Sequence, residues 1–252
     1  MKLARDTWLI FQYETAQLVR NPSTIAITLI QPITYLILFA PFLKAVMGVS
    51  TSGGGVYKTY VPSLFCAMGL FSGLFAGFAL LAAMRQGVIT RCRVTPLSRV
   101  ALMLGRVFMY VMLIGFQALV VTLAALIFGL RVQPVNLIFA LVLLSLMVVL
   151  GVSISYDLAL LVPNENSLPT LINSVAQPLS LLAGVLIPLS VAPLWVWRVS
   201  LWNPFAWGTR GMRAVMAGQL GAQVVWQASL ILAVLAVVAV VFSSRLFSRE
   251  IA

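Results

Sequence analysis

Polar residues along this chain are gathered into a few short blocks, and the stretches between them stay apolar for about twenty residues or more. The first block is mixed. Over residues 2–20, Lys2, Arg5, Asp6, Glu14 and Arg20 alternate with aromatic and aliphatic side chains. At helical spacing Ala4, Trp8, Phe11, Thr15, Leu18 and Val19 share one face, while Leu9, Ile10 and Tyr13 fall on the polar side. A helix with two apolar patches is expected to lie at the membrane interface, against lipid alone or between lipid and another protein. Asn21-Pro22-Ser23 ends it. Apolar runs of spanning length then follow at about 24–46, 60–84, 100–130, 137–162, 170–188 and 224–242. Between the fifth and sixth runs, residues 189–223 carry five aromatic residues at Trp195, Trp197, Trp202, Phe205 and Trp207, yet are broken by Pro193 and Pro204 and punctuated by Arg198, Arg210 and Arg213. That segment is too polar to span and too apolar for a free loop. It predicts two short re-entrant or interfacial helices, the second capped by Asn203 with Pro204 in its first turn. Trp202 and Trp207 are then expected at headgroup level, with Arg210 and Arg213 reaching outward.

The expected fold is therefore an all-α integral membrane protein forming a single domain over residues 1–252. It has an N-terminal interfacial helix, six transmembrane helices and an outer broken segment. Composition supports the class: 62% of residues are hydrophobic, 8% are charged and the mean hydropathy is +1.08, against roughly a quarter charged in ordinary soluble domains. The net charge of +11 would suggest nucleic acid in a soluble protein, but here no nucleic-acid partner is expected, because basic residues collect in cytoplasmic loops. With both termini inside, the cytoplasmic set (Lys2, Arg5, Arg20, Arg85, Arg91, Arg93, Arg99, Arg106, Arg245, Arg249) outnumbers the outer one (Lys44, Lys58, Arg131, Arg198, Arg210, Arg213), which selects that orientation.

Chemistry of a catalytic kind is missing from the sequence. It has no histidine, and its five acids (Asp6, Glu14, Asp157, Glu165, Glu250) are scattered. It contains no GxxxxGK[ST] loop, so ATP cannot be held here in a Walker A site. Cys66 in an apolar run and Cys92 in a basic loop form neither a CxxC metal pair nor an expected disulfide. Three features carry more information. Gly69, Gly73 and Gly77 repeat at four-residue spacing, as a close-packing helix face does. Asp157 lies in the fourth run, about six residues from its cytoplasmic end, and ionisable groups at such positions are functional candidates. It is either hydrated at the interface or paired with a basic residue such as Arg106. The third feature is the basic stretch between the second and third runs, with Arg85, Gly87, Arg91, Arg93, Thr95, Pro96 and Arg99. Gly87 permits a turn out of the second run and Pro96 limits any helix before the third. The arginines there are polar handles for a partner or anchors on anionic lipid.

Gly87-Val-Ile-Thr-Arg-Cys-Arg-Val-Thr-Pro-Leu-Ser-Arg99, followed by Leu104-Gly105-Arg106, resembles the membrane subunits of ABC-2-type exporters, in particular the daunorubicin-resistance-like branch. Asn203-Pro204-Phe205-Ala206-Trp207, with Arg210 and Arg213 after it, is similar to an Asn-Pro-aromatic stretch that the family carries before its last span. The order of parts agrees over essentially the whole chain. One position departs: Thr90 stands where the family usually has a glutamate. The resemblance implies that residues 85–99 are a coupling helix docking on a separate ATP-hydrolysing subunit, present in two copies. It also implies a second permease copy or a paralogous permease, ATP and Mg bound by the partner and not by this chain, and a bacterial plasma membrane. The implied function is outward movement of a hydrophobic or amphipathic compound such as a drug, antibiotic or lipid-like product, within a membrane-lipid environment. A secondary transporter or channel working alone would predict inverted repeats and several intramembrane polar groups. A membrane-embedded lipid-modifying enzyme would need acids, His or Lys clustered at one interface. Neither pattern is evident.

Overall fold

The computed structural model describes residues 2–47, 55–85, 99–162, 167–185 and 192–250. Among these residues every regular element is helical: α1 (Lys2–Arg20), α2 (Pro22–Met47), α3 (Gly55–Arg85), α4 (Arg99–Ile127), α5 (Pro134–Leu161), α6 (Ser167–Leu182), α7 (Leu194–Ser200), α8 (Pro204–Met216) and α9 (Gln223–Glu250). Asn21 separates α1 from α2 as its Asn-Pro sequence predicts. Gly129, at φ +94°, turns the chain after α4, in a conformation a side chain would resist.

Among the described residues, four helical stretches are long and apolar enough to cross a membrane: Tyr57–Met84, Val100–Ile127, Pro134–Leu161 and Gln223–Leu246. The chain is thus a multi-pass membrane protein. The helix expected over 170–188 is instead Ser167–Leu182, which rises roughly 24 Å against a hydrocarbon thickness of about 30 Å. Asn173, Gln177 and Ser180 make it more polar than its neighbours, and Pro178 lies inside it.

α5 is the centre of the bundle, flanked by α3 and α9. Lipid tails offer no hydrophobic drive for helices to associate, so close backbone approach must supply the contact. The α3–α5 seam shows how. A Cβ added to Gly73 would stand 3.0 Å from the Gly151 Cα, so the two backbones touch where neither residue has a side chain. One turn on, the Gly77 N–H donates to the Ser155 Oγ at 2.8 Å, and that hydroxyl donates to the Leu74 carbonyl. The glycine repeat is therefore a packing face, and it lies against α5.

α1 lies along α4, but not on the expected face. Ile10, assigned by periodicity to the polar side, is buried at 8% exposure, whereas Trp8 is 58% exposed. The reason is steric: Gly105 of α4 leaves a notch that Ile10 fills, and a Cβ at Gly105 would come within 2.7 Å of the Ile10 Cγ2. The Trp8 and Phe11 rings, 5.3 Å apart, are left to border an open apolar groove with Leu104 and Phe108 of α4.

Candidate functional site

Three places gather the polar and aromatic groups of this bundle. The first is the joint between α1 and α4. Next to the Ile10–Gly105 contact, the Arg106 Nε donates to the Glu14 Oε1 at 2.8 Å. Arg106 is only 7% exposed, and a buried guanidinium requires such a partner. This corrects the pairing of Asp157 with Arg106 raised as an alternative above: Arg106 bonds Glu14, and Asp157 meets the Ser243 hydroxyl of α9 with its Oδ1 unpartnered among the described residues. The joint sits at the start of α4, beside the chain segment that links it to α3. Arg85 closes α3 and Arg99 opens α4. Gly87, Thr90, Arg91, Arg93, Thr95 and Pro96 lie outside the described residues.

The second place is the pair of short helices α7 and α8 at the opposite end of α3. The Asn203 Oδ1 accepts from the Phe205 N–H at 3.0 Å, capping α8 with Pro204 in its first turn. Its amide Nδ2 donates to the Leu179 carbonyl of α6 at 2.8 Å, so one side chain both starts α8 and ties it to α6. Trp207 Nε1 donates to the Leu201 carbonyl at 2.9 Å. Arg210 lies over the faces of Trp197 and Trp207, with centroid distances of 5.6 and 5.5 Å, and its Nη2 donates to the Ser200 Oγ at 2.7 Å. Trp202 is 91% exposed, as a headgroup-level residue would be. Arg213 does not reach outward as expected. Its Nη2 donates to the Ser63 Oγ of α3 at 2.7 Å and to the Gly184 carbonyl past α6 at 2.6 Å. The freed carbonyls after α6 attract it: a helix C-terminus offers acceptors and the negative end of its dipole. Phe205 is buried beneath, where its carbonyl accepts from the Thr209 hydroxyl.

The third place is a cavity of about 500 Å³ among α2, α3, α4 and α6, which sequence reasoning did not find. Gln31, Tyr60, Gln117 and Gln177 supply polar groups to it, and Phe71 and Phe75 an aromatic wall. Phe71, Phe75 and Phe78 follow one another along α3 with centroids 6.4 and 5.5 Å apart. Among the described residues no Asp, Glu, Lys or Arg lines this groove, and Asp157 is not part of it. From Tyr60 to Phe75 it follows α3 for roughly 22 Å. Its signal in the sequence was the polar content of α6, visible only once α6 is set opposite α3. Among the described residues no three His, Cys, Asp or Glu side chains gather to hold a metal.

Comparison with known proteins agrees with this architecture. The chain is 28% identical over 200 residues to "Putative transport permease ycf38" of Cyanophora paradoxa, covering 78% of this chain and 69% of that one. It is 27% identical over 228 residues to the protein of the same name in Porphyra purpurea, covering 83% and 77%. No solved structure matches it at a significant level. Permeases of the ABC-2 type generally work with ABC ATPase subunits. Residues 5–217 match the ABC-2 type transporter family, and the chain belongs to it, as a membrane permease of an ABC transporter.

Proposed function

We propose that this permease is the membrane half of an ATP-driven exporter that moves a hydrophobic or amphipathic compound outward. The observation that carries this reading is the uncharged groove along α3. A path built from amides, hydroxyls and aromatic faces suits a cargo with a large apolar body and neutral polar groups. A proton- or ion-coupled carrier needs ionisable groups on its path; Asp157 lies off this one. Energy then comes from outside the chain, from two ABC ATPase subunits that bind ATP and Mg and dock on residues 85–99. α3 links the two ends of the device: it enters the docking segment at Arg85 and forms the groove wall along its length. α2 and α6 complete six spans, both termini face the cytoplasm, and α7–α8 form a lid over the outer end of a cavity shared with a second permease. Antibiotics, drugs and lipid-like products fit the groove's chemistry.

Co-expression with the ATPase subunit tests the reading. Arg91→Glu/Arg93→Glu should insert normally but fail to copurify with the ATPase, with transport abolished, since docking in a polar groove does not survive a sign reversal. Full copurification with coupled ATPase activity would reduce these arginines to topology anchors. Cysteines placed at Ser52 and Ser244 should label from opposite sides of the membrane in intact cells; labelling of both from outside would discard the six-span orientation.

A further inference from the structure

A second cavity, of about 380 Å³, lies under the elbow where α1 turns into α2, at the end of the bundle where α3 ends and α4 begins. It is built differently from the groove. Arg106 and Glu14 both line it, with Gln17, Asn21, Tyr110 and Tyr156. Two donors in its wall are buried and unsatisfied. The Arg106 Nη1 and the Tyr156 hydroxyl have no hydrogen-bond partner among the described residues, although Arg106 is 7% exposed and Tyr156 fully buried. Buried donors without partners are destabilising and uncommon, and two in one cavity wall call for a shared explanation. A guanidinium N–H beside a phenol O–H makes a pair of donors suited to phosphate oxygens. Glu14 is the one carboxylate in the wall, and it sits against the same arginine. A purely anionic guest would meet that carboxylate unfavourably, whereas a guest that also carries an ammonium group satisfies both signs.

We infer that this cavity binds a phosphate–amine headgroup of the phosphoethanolamine class, its phosphate on the Arg106 Nη1 and Tyr156 hydroxyl and its ammonium towards Glu14. Tyr110 lines both this cavity and the groove, so the site adjoins the groove. The headgroup belongs to a bilayer lipid or to a water-soluble phosphoamine, and the two sources separate experimentally. The assignment does not depend on what the exporter carries.

The test uses the full chain in nanodiscs and reads its thermal unfolding. Against a phosphatidylcholine background, phosphatidylethanolamine should raise Tm, while phosphatidylglycerol, which lacks the amine, should raise it less. Tyr156→Phe is the informative variant, because the hydroxyl it deletes has no hydrogen-bond partner among the described residues. Its Tm in phosphatidylcholine should match or exceed the wild type, and the phosphatidylethanolamine increment should fall several-fold. Glycerophosphoethanolamine added to phosphatidylcholine discs distinguishes the sources. An increment there, also lost in Tyr156→Phe, assigns a soluble phosphoamine, and its absence alongside the lipid effect assigns a bilayer lipid. Equal Tm in all three lipids, or an increment unchanged in Tyr156→Phe, would overturn the site.

Discussion

The two ends of this molecule handle arginines within the fold in opposite ways. At the α1–α4 joint Arg106 faces a carboxylate, Glu14. At the α7–α8 end Arg210 and Arg213 are held by hydroxyls, a carbonyl and two indole faces. No acid occurs anywhere between residues 166 and 249 of the sequence, so the second arrangement has no carboxylate of its own segment to draw on. The difference has a physical consequence. An ion pair stores its stabilisation in two side chains, each of which becomes a liability when the other is lost. A guanidinium bonded to neutral acceptors leaves no stranded charge behind. The first arrangement holds α1 and α4 together only while both partners are present. The second is more easily rearranged, since its neutral partners can turn to water or headgroups at little cost.

Mutations that remove one group at a time can break this contrast, and unfolding in mixed micelles titrated with SDS measures each. Arg106→Met should have the largest effect, about 3 kcal/mol, because it strands Glu14 in a half-buried site; Glu14→Gln combined with it should recover part of the loss, the mark of a charge left unpaired. Arg213→Met should cost less, about 2 kcal/mol, for hydrogen bonds from a charged donor. If Arg213→Met proves the more damaging of the two, the contrast drawn above is wrong. Asn203→Ala should cost about 1 kcal/mol for the lost cap, with additional loosening of α8 from α6 visible as faster hydrogen exchange near Phe205. Arg210→Gln should be mildest, about 0.5–1 kcal/mol for its place over two aromatic rings, and should leave the cap's exchange pattern intact.

Much of the architecture was legible in the residue pattern. Asn21-Pro22 marked the break after α1, and Asn203-Pro204 marked the start of α8, because prolines and caps act locally and carry their signal in adjacent residues. The glycine repeat of α3 was readable as a packing face. What it packs against was not, since Gly151 and Ser155 lie some eighty residues away and have no distinguishing sequence context. Pairing failed for the same reason. Glu14 and Asp157 are both acids at the same end of the bundle as Arg106, and only the fold decides between them. Ile10 was misplaced because periodicity ranks faces by hydrophobicity, while in lipid the buried face is chosen by which helix has a notch. Arg213 was expected to seek water; the open carbonyls after α6 were nearer.

The touching backbones of Gly73 and Gly151 leave α3 and α5 no room to slide past each other, so mechanically they form one double-width beam. From Ser63, where Arg213 is moored, to Arg85, where α3 ends, that beam is roughly 33 Å long. A tilt of about 10° imposed at one end displaces the other by roughly 6 Å, more than one helical turn of rise. A push at the Arg85 end therefore arrives at the Arg213 mooring undiminished, without any relay of side chains in between.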